Sequence, residues 1–452
     1  MSLAYSDFIS RKSQLDAGDG FKPVFMPDAM FEFQQVLVEW AVRNGRAAIF
    51  ADCGMGKSLM QLVWAENVVR KTNKPVLILA PLSVSMQTAD EAAKFDIEAV
   101  RSLTGNKKGS RIVLTNYERL HHFDCNDFAG VVCDESSIIK NFDGSRKGEI
   151  TDFMRKVRYR LLCTATAAPN DYIELGTSSE ALGYLGYMDM LGTFFKNDED
   201  SLHPAFVGSK WRFKRHAETH FWKWMASWAR ACRKPSDLGF ADGKFVLPPL
   251  VTNEHVVQSP AFNGDLFERP AVSLADQRAD TRATVEARCE MAAKLLSDAK
   301  SGIAWCHLND EGDLLERLIQ GSAQISGTDD DERKEEVFGA FQKGDIRVLV
   351  TKPKIAAFGM NWQHCNRMTY FPTHSFEQWY QAVRRCWRFG QKNSVIVDAV
   401  LSSAQSGVVN NLNRKADACE AMFASMVEHM NDALRIQRRT HGTDQVEVPA
   451  WL

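Results

Sequence analysis

The sequence has no Cys-x-x-Cys pair; its ten cysteines are scattered at spacings that suit neither a zinc site nor a disulfide framework. That argues against a small disulfide-stapled scaffold and favours a reducing compartment. No apolar run approaches the roughly 20 residues of a membrane span. The polar stretch Met1 to Gly20 lacks the apolar core of a secretion signal. The expectation is a cytoplasmic location with no membrane partner. A global basic surplus is missing too: the net charge is −2, so any polyanion would be met in a local cleft. Internal repeats and low-complexity tracts are absent. What remains is ordinary globular composition, 45% hydrophobic and 25% charged, over 452 residues, enough for two or three domains.

The most informative stretch is Ala51-Asp52-Cys53-Gly54-Met55-Gly56-Lys57-Ser58. A short apolar segment, Ala47 to Phe50, precedes it, and residues with helical apolar spacing follow from Leu59. A strand, a glycine-bearing loop ending in Gly-Lys-Ser, and a helix describe a phosphate-binding loop. Gly54 and Gly56 let backbone N–H groups turn toward a triphosphate, and the helix N-terminus adds partial positive charge. In this reading Lys57 reaches the β- and γ-phosphates and Ser58 holds Mg²⁺. The common pattern begins with glycine where this chain has Ala51. Residues 30–46 read as an amphipathic helix whose glutamines, Gln34 among them, are placed to touch the base of a nucleotide. A surface glutamine is the plainer alternative for either one alone.

Pro75 to Pro81 and Arg111 to Tyr117 read as strands, the first apolar throughout as parallel strands covered on both faces are. Gly130 to Cys133 delivers Asp134 and Glu135 to a strand's C-terminal edge, where ligands sit in open α/β sheets. Asp134 suits a Mg²⁺ contact and Glu135 the orientation of an attacking water; capping the next helix is the other use of such a pair. Tyr159 to Cys163 runs into Thr164-Ala165-Thr166, hydroxyls that either relay the state of the nucleotide or form a turn. Between 180 and 300, Phe221, Trp224, Met225 and Trp228 share a helical face and read as packing, with a basic rim (Lys223, Arg230, Arg233, Lys234) available to DNA. Asp265 to Asp280 has the composition of a surface loop, and Arg282 to Leu296 reads as a helix. The second half repeats an α/β rhythm, with strands at Gly302–Cys306, 347–351 and 368–371, but no second phosphate loop. In Gln378 to Gln391, Arg385 and Arg388 stand three apart and share a face if the stretch is helical. Guanidinium groups so placed can stabilise charge growing on a transferring phosphoryl group.

Together these segments resemble the motor core of superfamily 2 helicases, specifically the Swi/Snf-related ATPases. The matches are the glutamine-bearing helix ending in Trp40, the Gly-Lys-Ser loop, Leu79-Ala80-Pro81-Leu82-Ser83 with Gln87, Thr115-Asn116-Tyr117-Glu118, Asp134-Glu135 with Lys140-Asn141, and Thr164-Ala165-Thr166. In the second half they are Gly327 with Arg333, Thr351 with Phe358-Gly359-Met360-Asn361, and Gln381 to Gln391, which is similar to the family's Gln-x-x-x-Arg-x-x-Arg-x-Gly-Gln signature. The Asp-Glu-Ser-Ser variant and Ala168 to Leu175 look most like compact members from phage genomes, which implies the cytoplasm of a bacterial host. Departures are Ser137 for a histidine, Ala167 for a proline, Arg384 for a glycine and Trp387 for a histidine.

The resemblance implies two RecA-like α/β parallel-sheet domains with ATP in the cleft between them, plus a helical insertion. The divisions implied are an extension over 1–29, motor domains over 30–180 and 251–400, an insertion and linker over 181–250, and a helical extension over 401–452. It implies ATP and Mg²⁺ as cofactors and DNA as partner, double-stranded favoured, RNA not excluded. Lys57, Glu135, Arg385 and Arg388 would be catalytic. Gln34, Gly54, Gly56, Ser58, Asp134 and Gly359 would hold the nucleotide and its Mg²⁺, with Gln34 on adenine. Thr164, Thr166 and Gln381 would couple hydrolysis to movement. A strand-separating helicase is the alternative of the same class; a DNA-binding recruitment factor that no longer hydrolyses ATP is the alternative of another.

Overall fold

The computed structural model describes residues 20–106, 109–140, 145–168, 172–197, 211–214, 216–259, 274–356 and 360–440. Gly359, Phe358, Asn141, Pro169, Asn170 and Asp171 lie outside the described residues, as do the side chains of Leu82, Ser83 and Gln87. The chain divides into two compact units, Met1–Asp242 with Cys419–Leu452, and Gly243–Ala418.

In the first unit the strands are β1 (Arg46–Ala51), β2 (Val76–Ala80), β3 (Ala99–Arg101), β4 (Ile112–Asn116), β5 (Gly130–Asp134) and β6 (Tyr159–Thr164), followed by an antiparallel pair, β7 (Phe195–Asn197) with β8 (Trp211–Phe213), and by β9 (Ala229–Cys232). All but the pair form one parallel sheet ordered β3-β4-β2-β5-β6-β1-β9. Every residue of β2, β4, β5 and β6 is buried, which is why those runs are mainly apolar without alternation; the Arg160 guanidinium in β6 is satisfied by the Val157, Leu182 and Arg155 carbonyls. The parallel order brings the C-terminal ends of β1, β5 and β6 together side by side, and with them the phosphate loop, the acidic pair and the threonines.

The stretch after 180 joins this unit. Strand β9 extends the sheet beside β1, and the Asp52 N–H donates to the Cys232 carbonyl at 3.0 Å. Helix Ala217–Trp228 buries Phe221, Trp222, Met225 and Trp228; Trp224 is only half-buried, its ring 5.3 Å from those of Phe194 and Trp228. The expected basic rim is corrected in part. Arg230 is buried with its guanidinium 4.2 Å over the Trp40 ring, and burial pushes its pKa down to about 10. Arg233 pairs with Glu420 at 2.9 Å and covers Phe423. Both are absorbed by packing. Glu420 and Phe423 belong to helix Ser406–Thr440, which lies within the expected helical extension over 401–452. Its Cys419, Met422, Phe423, Met426 and Met430 are buried in the first unit, where the Met430 sulfur accepts from the Ala231 N–H.

The second unit is a six-stranded parallel sheet of β10 (Leu250–Val257), β11 (Gly302–Trp305), β12 (Ser322–Ile325), β13 (Val348–Thr351), β14 (Arg367–Tyr370) and β15 (Val395–Ser402), ordered β10-β15-β14-β11-β13-β12. Alternation along β11 supplies two cores: Ile303 and Trp305 face one with Trp362 and Phe341, while Ala304 and Cys306 face the other with Leu315 and Phe371. The expected loop near Asp280 is instead the end of helix Leu274–Ala283; Asp280 is buried and accepts from the Ser402 hydroxyl. None of the ten cysteines is in a disulfide. No helix among the described residues is long and apolar enough to cross a membrane.

Candidate nucleotide site

Strand β1 ends at Ala51, and Gly54 and Gly56 take the left-handed conformation, φ +89° and +81°, to turn the chain into helix Lys57–Thr72. No acidic residue occupies the first turn of that helix, so its N-terminal partial charge is uncompensated by the chain itself. The loop is pinned from both sides. The Met55 N–H donates to the Asp52 carbonyl, and the Gln34 Nε2 donates to the Met55 carbonyl at 2.9 Å. Gln34 is buried, its Oε1 taking the Phe31 N–H at 3.1 Å, so its amide ties helix Glu32–Asn44 to the loop. A Cβ on Gly56 would come within 2.3 Å of Gln34 Nε2, which makes this glycine obligatory as long as Gln34 holds its place.

Lys57 folds back under the loop, its Nζ donating to the Ala51 carbonyl at 2.9 Å and to Asp52 at 3.3 Å. Burial depresses its pKa, but Cys53, Glu135, Asp134 and Asp52 around it more than offset this, and the ammonium is held above its ordinary value. Asp134 at the end of β5 accepts from Gln61 Nε2 at 2.6 Å, and its carbonyl takes the Tyr117 hydroxyl. Glu135 adopts a left-handed φ of +51°, unusual for a residue with a side chain and a strain that clusters at functional positions. Its Oε2 accepts from Thr164 Oγ1 at 3.3 Å, and that same hydroxyl oxygen accepts the Thr166 N–H at 3.1 Å. The Thr166 hydroxyl is buried with no partner among the described residues.

Asp134 is raised to about 6, first by burial and next by Glu135, against the opposing pull of Lys57 and Gln61. Its folded pKa therefore lies above the unfolded value near 3.8, so the group costs stability. The cost grows as pH rises from about 4 to about 6, is full above 6, and vanishes when both states are protonated. Asp134→Asn should raise the melting temperature of the metal-free protein at pH 8, with the gain gone by pH 3.5; thermal scans across pH check this, and a variant less stable than wild type at pH 8 would contradict it.

In the second unit helix Phe376–Val383 stops short of both signature arginines, which correct the helical expectation: they sit in turns beyond it. The backbone tightens there, with the Arg385 N–H on the Ala382 carbonyl and the Arg388 N–H on Cys386. The two side chains still converge, because Arg385 Nη1 and Arg388 Nη1 donate to one acceptor, the Met360 carbonyl, at 3.1 and 3.4 Å. Arg385 is buried and also bonds Gln381 through its carbonyl and Oε1, both at 2.9 Å; Arg388 is half-buried. Arg384, at the family's glycine position, lies 4.3 Å over the Trp387 ring. Gln391 Nε2 donates to the carbonyls of Gln363, Cys365 and Cys386, fixing the base of the turn.

Thus the sheet edge of the first unit brings together Gln34, Gly54, Gly56, Lys57, Asp134, Glu135, Thr164 and Thr166, and the second unit gathers Gln381, Arg385 and Arg388. Gln61 and the Met360 carbonyl were not anticipated; Gln61 was findable, one helical turn after Lys57 and on the same face.

No protein-family model matches the chain. In sequence it is 27% identical over 180 residues to the DNA annealing helicase and endonuclease ZRANB3 of Mus musculus, a stretch that is 35% of this chain and 17% of that protein. In that stretch the chain is similar to a Swi/Snf-related ATPase of superfamily 2. The match covers less than a fifth of the curated relative's length. Among solved structures, the Sulfolobus solfataricus SWI2/SNF2 ATPase core in complex with dsDNA matches with a TM-score of 0.42 and 17% identity, covering 84% of this chain and 90% of that one.

Proposed function

We propose that the chain is an ATP-driven motor that couples hydrolysis to movement along DNA, double-stranded DNA being the favoured track. The observation that carries the reading is the cluster at the first sheet's edge: a pinned phosphate loop, a half-buried lysine, and two adjacent carboxylates with different partners. Lys57 is charged and can exchange its loop carbonyls for phosphate oxygens. Glu135, held by Thr164, is the base-side group that orients the attacking water. The Thr164 hydroxyl links Glu135 to the backbone of Thr166, so a change at the γ-phosphate is felt along the segment leaving β6.

The donor set fits Mg²⁺ bound with a nucleotide: Asp134 and Ser58 offer hard oxygen ligands, and a buried carboxylate pushed up to about 6 beside Glu135 is one that a cation would relieve. Bound there, the ion would neutralise charge on the phosphates. Arg388, the less buried of the two signature arginines, is assigned the transition-state contact, and Arg385 the support of its turn.

A mouse relative named as a DNA annealing helicase supports DNA as the track. The favoured mode is tracking on intact duplex; separation of strands is the second reading, favoured by the word helicase in that name. The test is ATP turnover with double-stranded DNA, single-stranded DNA or RNA at one salt concentration. Duplex DNA should stimulate most, and the stimulation should weaken steeply as salt rises, because phosphate contacts release counterions. Turnover indifferent to all three polymers would remove the motor reading.

A further inference from the structure

The segment that enters the second unit, Gly243 to Pro249, grips the arginine turn on both sides of Arg388. The Phe245 ring stacks on that of Phe389, centroids 4.6 Å apart and planes at 28°. Trp387 Nε1 donates to the Pro248 carbonyl at 2.7 Å. Arg388 lies between Trp387 and Phe389 in the chain. Helical hydrogen bonds do not set its direction, since the helix has ended at Val383. Just beyond, Gly390 at φ +91° reverses the chain, and the Phe389 carbonyl is taken by Gln363 Nε2 at 3.2 Å. The turn thus has a base fixed by Gln391 and a tip whose two aromatic flanks are held by the entering segment. Between the two anchors Val246 is 72% exposed.

We propose that Phe245 and Pro248 are positioning residues that aim the Arg388 guanidinium, and that the entering segment thereby sets the rate of ATP hydrolysis. The proposal rests on the motor reading and on Arg388's place in it. The segment follows directly on Asp242, the last residue of the first unit before the chain changes unit. A pull or a shift in register along it changes the backbone between Trp387 and Phe389, and with it the arginine. A guanidinium displaced by about 1 Å loses much of its value to a transition state while ground-state binding is little affected.

The experiment uses the full chain with saturating DNA. Phe245→Leu keeps an apolar side chain of similar size but removes the stacked ring. The expected result is a kcat lower by about ten- to a hundredfold, with KM for ATP within about twofold of wild type, and Phe245→Tyr restoring turnover. In an Arg388→Ala background Phe245→Leu should cost nothing further, because the residue acts through that arginine. A wild-type kcat in Phe245→Leu overturns the proposal, and so does an equal loss in both backgrounds, which is also what a merely destabilising substitution would give. The motor reading fails separately: there, wild type would not turn over ATP, or Arg388→Ala alone would leave turnover intact.

Discussion

Lys57→Ala is expected to lower ATP turnover by about a thousandfold, the scale reached when one preorganised electrostatic contact to a developing charge is lost. The structure accounts for the size. The half-buried Lys57 has its ammonium held above its ordinary pKa by Cys53, Glu135, Asp134 and Asp52, and stored against the Ala51 and Asp52 carbonyls, within reach of the loop it would serve. Removing it leaves three acidic side chains near the phosphates with no cation from the chain to oppose them, so nucleotide binding should weaken as well. Lys57→Arg should not rescue: a planar fork cannot occupy the same position under the loop while meeting both carbonyls. Steady-state turnover with a fluorescent-nucleotide binding titration checks both effects. Hydrolysis within threefold of wild type would show that the loop is not the phosphate site.

Glu135→Gln should cost a comparable factor and act on a different step. The substitution conserves shape and leaves Thr164 Oγ1 an oxygen to donate to, so the left-handed turn at 135 is retained. What is lost is the negative charge that orients and polarises the attacking water. Nucleotide affinity should hold or improve, because one carboxylate fewer faces the triphosphate. The removal also relieves Asp134, whose raised pKa owes its second largest part to Glu135. Single-turnover hydrolysis and binding, measured on the same preparation, separate these outcomes. Wild-type single-turnover rates in the variant would clear Glu135 of the role.

The parts of the fold legible in the sequence are those with strong local physics. Strands β2, β4, β5 and β6 are buried on both faces and wrote themselves as apolar runs. The phosphate loop needs glycines at left-handed positions and shows them at Gly54 and Gly56. Strands at the sheet margins were not legible. β12 is Ser-Ala-Gln-Ile and only half-buried, and β9 carries Arg230, which reads as a solvated charge until Trp40 is seen beneath it. The end of helix Phe376–Val383 was hidden for a related reason: Arg384 to Arg388 have good helical propensity, and the tertiary acceptor at the Met360 carbonyl decides their course. Gln34 illustrates the limit for the site itself. A helix bearing glutamine was visible, but the bond from its amide to the Met55 carbonyl depends on a contact across twenty-one residues of chain.

Displacement of a triplex-forming strand reports movement along duplex DNA and does not require the strands to part. A motor that tracks on intact duplex releases the third strand in an ATP-dependent way as wild type, not with a non-hydrolysable analogue and not as Glu135→Gln, while a plain duplex of the same length stays paired. DNA-stimulated hydrolysis with the third strand left in place would contradict it.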